Sequence, residues 1–266
     1  MHTAEVSDFQ HSGEIWRDFP ELVPGIVLAG GITHDVAAGD RVARLTAIAK
    51  SRLTGATESE LPEIQAWRRT FTRMGLRPTQ YRCASEALLR RLRKEGTLPR
   101  LHPLIDICNA ASVAFAIPVA VFDISKITGR LEVRYAAGDE EYLTFSGQTE
   151  HPSPHEVIFA DQAGQVHARR WTNRQSGRSA VQASTVTALI VAEAMHESAS
   201  SDVPALIAAI AGELTAVWSI APAAAVLSQS APRFAFRNSG MRHEIQNPLS
   251  RTYAAVSPPS HPRRAG

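Results

Sequence analysis

The sequence predicts an α+β fold, a central and mostly antiparallel sheet flanked by helices, and three observations carry that prediction. Helical periodicity falls into two blocks, residues 35–115 and 184–218. Between them, short alternating segments are separated by Gly-containing turns, as consecutive strands would be. Helices grouped at both ends of a strand run argue against the strict strand–helix alternation of a doubly wound sheet.

Residues 1–20 read as a polar lead-in, residues 21–220 as a single domain, and residues 221–266 as an Ala-, Ser- and Pro-rich tail expected to be mobile. Leu22 to Gly31 is a short buried strand ending at a glycine pair. Asp35 to Leu53 is helical. Glu58 to Met74 is a second helix, with Leu61, Ile64, Trp67, Phe71 and Met74 recurring every three or four residues as a core stripe. Ser85 caps a helix from Glu86 to Glu95 that Gly96 closes. Pro103 begins a helix of about three turns, ended by Ile117-Pro118 near Phe115. Strands follow at 119–122, 130–135, 141–145, 156–160 and 165–171. The spacing then predicts helices over Ser184–Glu197 and Val203–Trp218, the second capped by Asp202.

The 266 residues are 44% hydrophobic and 20% charged, an ordinary globular composition with room for an ample core. No apolar run is read as long enough to span a bilayer, and the polar, acidic N-terminus is no signal peptide. Cys83 and Cys108 have no metal spacing and read as reduced thiols of a cytoplasmic protein. The net charge of +2 hides an asymmetry. Ten Arg and Lys lie between Arg68 and Arg100, and six acids with no Lys or Arg lie between Gly138 and Asp161. The basic half is either a polyanion-binding surface or a solvated helical face.

No Gly-rich phosphate loop, Walker motif or nucleophile elbow is present. Pro152 and Pro154 keep His151 and His155 off a common helix face, so neither a metal nor a cofactor is expected. Arg82 beside Cys83 would lower its pKa, but no base accompanies it. Polar groups instead concentrate in two places. Asp106 and Asn109 sit on the otherwise apolar Pro103 helix, where each either caps neighbouring backbone or faces a ligand. Arg169 to Gln175 comes off a strand; its guanidinium, amide and indole groups either grip a carboxylate, phosphate or ribose, or form a surface loop with Trp171 tucked inward. Gly147 is either a site of close backbone approach or a turn glycine.

The words Ile105-Asp106-Ile107-Cys108-Asn109 and Pro118-Val119-Ala120-Val121-Phe122-Asp123 resemble V-D-[IV]-T-N and P-x-H-A-F-D in the editing (B3/B4) domain of the phenylalanyl-tRNA synthetase beta chain. Freestanding proteins built from that domain alone look more similar still. The match extends from Tyr81–Arg91 through Ile127–Arg134, Phe145–Gly147, Glu156–Asp161 and Arg169–Trp171, over roughly residues 75 to 195. The resemblance implies a B3/B4 fold whose pocket receives the 3′ end of a mischarged tRNA while water cleaves the ester. On that reading Asn109 and Gly147 border the ester as the catalytic positions. Asp106 or Glu156 meets the ammonium of the amino acid. Arg170, Trp171, Arg174 and Gln175 face the ribose, phosphate or side chain, and Arg82, Arg90, Arg91, Arg93 and Lys94 face the tRNA backbone.

Two departures bear on the substrate. Ala120 replaces the family histidine, and Arg-Trp-Thr-Asn-Arg-Gln replaces a Gly-Gly-Glu-like turn, removing an acidic specificity residue. Tyrosine on the phenylalanine tRNA is therefore a poor guess. Some freestanding members clear canavanine from the arginine tRNA, and that is the leading substrate the resemblance implies. The alternatives are a non-catalytic tRNA-binding module and a binder of small amino-acid derivatives.

Overall fold

The computed structural model describes residues 6–237. In chain order the elements are β1 (Val6–His11), α1 (Gly13–Asp18), β2 (Val23–Gly30), α2 (Gly39–Leu53), α3 (Pro62–Arg73), α4 (Ala84–Glu95), α5 (Pro103–Phe115), β3 (Val119–Asp123), β4 (Leu131–Tyr135), β5 (Glu141–Leu143), β6 (Thr149–Glu150), β7 (Val157–Asp161), β8 (Gln165–Arg169), β9 (Arg174–Gln175), β10 (Thr187–Ala194), α6 (Ala199–Trp218), β11 (Ala223–Val226) and β12 (Arg233–Arg237). The fold is α+β. The strands make two sheets, where the sequence implies one. The larger runs β12-β1-β4-β7-β8-β5-β6, with β9 also on β8; the smaller runs β11-β2-β10-β3. Only the β1–β4 and β5–β8 pairings are parallel.

The two sheets share one core. Phe122 of β3 packs on Phe159 of β7 at 5.4 Å between ring centroids, and Phe9 of β1 stacks on the same Phe159 at 6.1 Å. Helices α5 and α6 cover the other side of the smaller sheet, and α2 packs on α5. Gly25 on β2 lets α6 approach: a Cβ there would come within 2.6 Å of both Val203 and Ile207 side chains. Helix α5 begins as Pro103 predicts, with His102 Nδ1 accepting from Leu104 N, and ends at Ala116 in the left-handed region (φ 56°).

Four expectations are corrected. Residues 184–197 are not a helix: Thr187–Ala194 is β10, paired with β2 on one side and β3 on the other. Central pairing overrides the helical preference of its alanines. Residues 6–20 are no lead-in, because β1 pairs with β4 and β12 and Phe9, Ile15, Trp16 and Phe19 are buried; residues 1–5 lie outside the described residues. The 221–266 segment supplies β11 and β12; its remainder beyond Arg237 lies outside the described residues. Finally, α6 is long and apolar enough to cross a membrane by length and composition alone. It carries Asp202 and Glu213, and it buries Val203, Leu206, Ile210 and Leu214 in the core, so here it is a packing helix.

Candidate functional site

Strand β8 ends at Arg169, and the chain then turns sharply. Arg170 and Trp171 both adopt left-handed backbone, at φ 47° and 57°. Such residues cost about 1–3 kcal/mol each and persist only where their surroundings hold them. Trp171 N donates to Val157 O at 2.7 Å, Arg170 N to Glu156 Oε1 at 3.1 Å, and Asn173 N to Arg170 O at 3.2 Å. The turn drives the indole of Trp171 fully into the core, edge-on to Phe19 (4.9 Å) and Trp67 (5.3 Å).

The same turn closes a cavity of about 60 Å³ between the two sheets. Its walls are Pro118, Val119 and Ala120 of the β3 edge, Phe159, Ala168, Val191 and Glu193, together with Ala84 and the segment Trp171–Gln175. Gln175 Nε2 donates to Val121 O at 2.5 Å, which fixes the segment against the free edge of β3. Glu193 is almost fully buried. Its Oε1 accepts from Trp171 Nε1 at 2.9 Å and lies 2.6 Å from His11 Nε2, while Trp67 Nε1 donates to its backbone carbonyl at 3.3 Å. Indole N–H can only donate, so Oε1 accepts there.

Beside the cavity lies an ionic quartet. Arg169 donates two parallel bonds to Glu156 (2.8 and 2.9 Å) and a third to Glu150 (2.6 Å). Arg174 also reaches Glu150, at 3.1 Å. Both guanidiniums lie over the ring of Tyr142, at 5.5 and 5.2 Å. Burial pushes the Glu156 carboxyl up, but the Arg169 guanidinium, together with the charge of Arg170 and the Ser153 N–H, outweighs it and holds the group below the usual carboxylate range. Two acids and two bases cancel, so the quartet carries no surplus charge.

The residues singled out from sequence are only partly brought together. Trp171, Arg174 and Gln175 line the cavity. Arg170 borders it, its guanidinium 4.8 Å above the Tyr81 ring. Glu156 belongs to the quartet and is committed to Arg169. Arg82 is adjacent through its backbone, whose carbonyl accepts from Asn173 Nδ2 at 2.8 Å. Asp106 is elsewhere: it accepts from Leu101 N at 2.8 Å and pairs with Arg100 at 3.1 Å, so the capping alternative is the one realised. Asn109 is half-buried on α5 and does not line the cavity. Gly147 (φ 83°) sits in the exposed β5–β6 turn, and a Cβ added there would meet nothing within 4 Å.

The α4 cations are largely neutralised. Arg93 and Arg90 reach Glu58 at 2.6 and 3.5 Å, Arg91 reaches Glu95 at 2.8 Å, and Arg82 reaches Glu86 at 3.5 Å. Lys94 is exposed and has no ion-pair partner among the described residues. Cys83 is fully buried, and burial pushes its thiol up to about 11, contrary to the activation that Arg82 implied.

Glu193 escapes sequence reasoning because the periodicity of its segment suggests a helix. A lone acid inside the apolar run Leu189–Met195 is the available signal. Glu63, His196 and Asp202 offer metal-type ligand atoms within 4.8 Å of one another, but Arg52 already holds Glu63, and Asp202 already accepts from His196. A larger open groove of about 570 Å³ lies along Arg130, Glu132, Arg134, Glu140 and Asp161. It shares no residue with the cavity, and its Arg130 and Arg134 are spent on Asp8 and Glu140.

A family profile described as the B3/4 domain matches residues 66–203. Over 73 residues the chain is 38% identical to the phenylalanine–tRNA ligase beta subunit of Cereibacter sphaeroides, covering 27% of this chain and 9% of that protein. Over 76 residues it is 37% identical to the same subunit from Thiobacillus denitrificans, covering 29% and 10%. The matched part is thus about a tenth of those relatives' length. Among solved structures, an N-terminal fragment of the phenylalanyl-tRNA synthetase beta subunit from Pyrococcus horikoshii aligns with a TM-score of 0.39 and 10% identity, over 79% of this chain and 51% of that one.

Proposed function

The chain belongs to the B3/4 domain family, and on that footing we propose that it is a trans-acting editing enzyme that hydrolyses the ester of a mischarged aminoacyl-tRNA. The observation that carries the reading is the convergence of Trp171, Arg174 and Gln175 on one small cavity inside the family-matched residues. The relatives are tRNA ligase subunits, which supports tRNA as the partner, and we take its aminoacylated 3′ end as the part bound. A protein acting beside the translation machinery would work in the cytoplasm.

The chemistry asks little of the protein. Water adds to the ester carbonyl, the bond from that carbon to the ribose oxygen breaks, the ribose oxygen takes the proton, and the free amino acid leaves. An aminoacyl ester is already activated, so holding it in place and stabilising the oxyanion suffices. In this reading Arg174, 39% exposed at its side chain, turns from Glu150 to the terminal phosphate or ribose. Gln175 and Thr172, which line the cavity, border the carbonyl. Phe145, exposed on the β5–β6 turn, offers a stacking surface for the terminal base; the neighbouring β5 is tied to the chain just after the cavity segment, Ser176 Oγ and Gly177 N both donating to Leu143 O.

The test is a deacylation screen of the purified protein against tRNAs charged with cognate and near-cognate amino acids, with canavanine on the arginine tRNA included. Turnover of one misacylated species above the uncatalysed rate is expected. Salt-sensitive tRNA binding with no turnover would leave an RNA-binding module instead.

A further inference from the structure

We propose that Glu193 is the counter-ion for the α-ammonium group of the esterified amino acid, an inference that rests on the aminoacyl-ester reading above. Among the residues lining the cavity Glu193 is the only acid, and Arg174, the only base, is paired outward with Glu150. The Glu193 carboxylate is 2% exposed, and both of its side-chain partners, Trp171 and His11, meet Oε1. No donor reaches Oε2 among the described residues. Oε2 is not sealed from solvent, and it opens on the cavity, where an arriving cation or donor can meet it. The neighbouring walls, Val119, Ala120, Phe159, Ala168 and Val191, offer apolar side chains only.

The cavity offers about 60 Å³ to water-sized groups and opens to solvent. One water needs about 10–15 Å³ by that measure, so a small ammonium head fits. Every aminoacyl ester carries its ammonium one carbon from the ester carbonyl, so anchoring it on Glu193 sets the carbonyl at the cavity mouth beside Gln175. The acids that sequence offered for this task are occupied, Glu156 by Arg169 and Asp106 by Arg100 and Leu101. Trp171 and His11 hold the carboxylate in one orientation and so act as positioning residues. It follows that a substrate whose amine is acylated is refused, whatever its side chain.

The experiment uses 3′-deoxy-3′-(alanylamino)adenosine, an amide-linked mimic of a charged 3′ end, and its N-acetyl derivative. Each is titrated by calorimetry into the wild-type chain and into Glu193→Gln. The wild type is expected to prefer the free amine by about tenfold or more, as loss of a buried charged partner would give. Glu193→Gln, whose amide oxygen still accepts from Trp171, is expected to lose that preference. Turnover of a misacylated tRNA and its N-acetylated form is the second measurement, and it needs no variant to fold. Cleavage of both forms at equal rates overturns the role of Glu193 and leaves the hydrolase reading intact. A preference that survives in Glu193→Gln overturns it as well. Binding of neither mimic, with no tRNA cleaved, overturns both readings.

Discussion

Trp171 Nε1 donates to Glu193 Oε1 across 2.9 Å, joining the turn after β8 in the larger sheet to the central strand of the smaller one. A hydrogen bond to a charged group contributes about 1.5–3 kcal/mol. Trp171→Phe keeps most of the packing against Phe19 and Trp67 and removes the donor. The urea midpoint should fall by an amount equivalent to about 2 kcal/mol with an unchanged slope. An unchanged midpoint would mean that the bond contributes nothing.

Glu156→Gln should destabilise at neutral pH by about 1–3 kcal/mol, because Arg169 loses its two-pronged acceptor. The sign with pH follows from the lowered folded-state value. The carboxylate's contribution is complete above the unfolded-chain range, about 4.3, and fades as pH drops through the lower folded value. Wild-type and variant melting temperatures should therefore converge in acid. A gap that stays constant down to acid unfolding would contradict the pairing.

Arg174→Ala separates function from stability. Its pair with Glu150 is about one-third exposed on both sides, and such pairs contribute about 0–1 kcal/mol. The melting temperature should barely move, while kcat/KM for the misacylated tRNA falls by about tenfold or more.

Asn109→Ala should leave kcat/KM within about threefold of wild type, because the amide does not line the cavity. A collapse of turnover in a well-folded variant would place α5 in the site after all.

Neighbouring cations on α4 should behave differently. Arg93→Ala removes the closest cation from Glu58, 5% exposed, leaving Arg90 at 3.5 Å, and should cost about 1–3 kcal/mol in thermal or urea unfolding. Lys94→Ala should leave stability within about 0.5 kcal/mol. If α4 meets the tRNA backbone, the slope of log affinity against log salt drops by about one in Lys94→Ala.

Helices read well from the sequence where one stripe faces the core. Trp67 and Phe71 on α3, and Pro103 with the Ile117-Pro118 stop on α5, are local signals that the fold leaves in place. Strands β3, β4, β7 and β8 read equally well because their alternation and turns are also local. Strand β10 does not, because a run of seven buried residues fits either period, and only its pairing with β2 and β3 decides between them. That single ambiguity hides Glu193. Phe9 and Trp16 are lost for a different reason: they stand among polar neighbours, and their burial depends on β4, which is more than a hundred residues away. The Arg169–Gln175 concentration is legible because charges at a strand end have few structural uses. Which of those charges are already spoken for by Glu150 and Glu156 is not, since those acids approach through tertiary contacts.

Strand β1 lies between β12 and β4 in the larger sheet, and its last residue, His11, braces Glu193. During synthesis β1 therefore waits for one of the last described strands before both of its edges are covered. Clipping the chain just before Arg233 would uncover β1 along one side and invite strand exchange between molecules. The cavity would then loosen from behind, through His11, with no residue of its own walls altered.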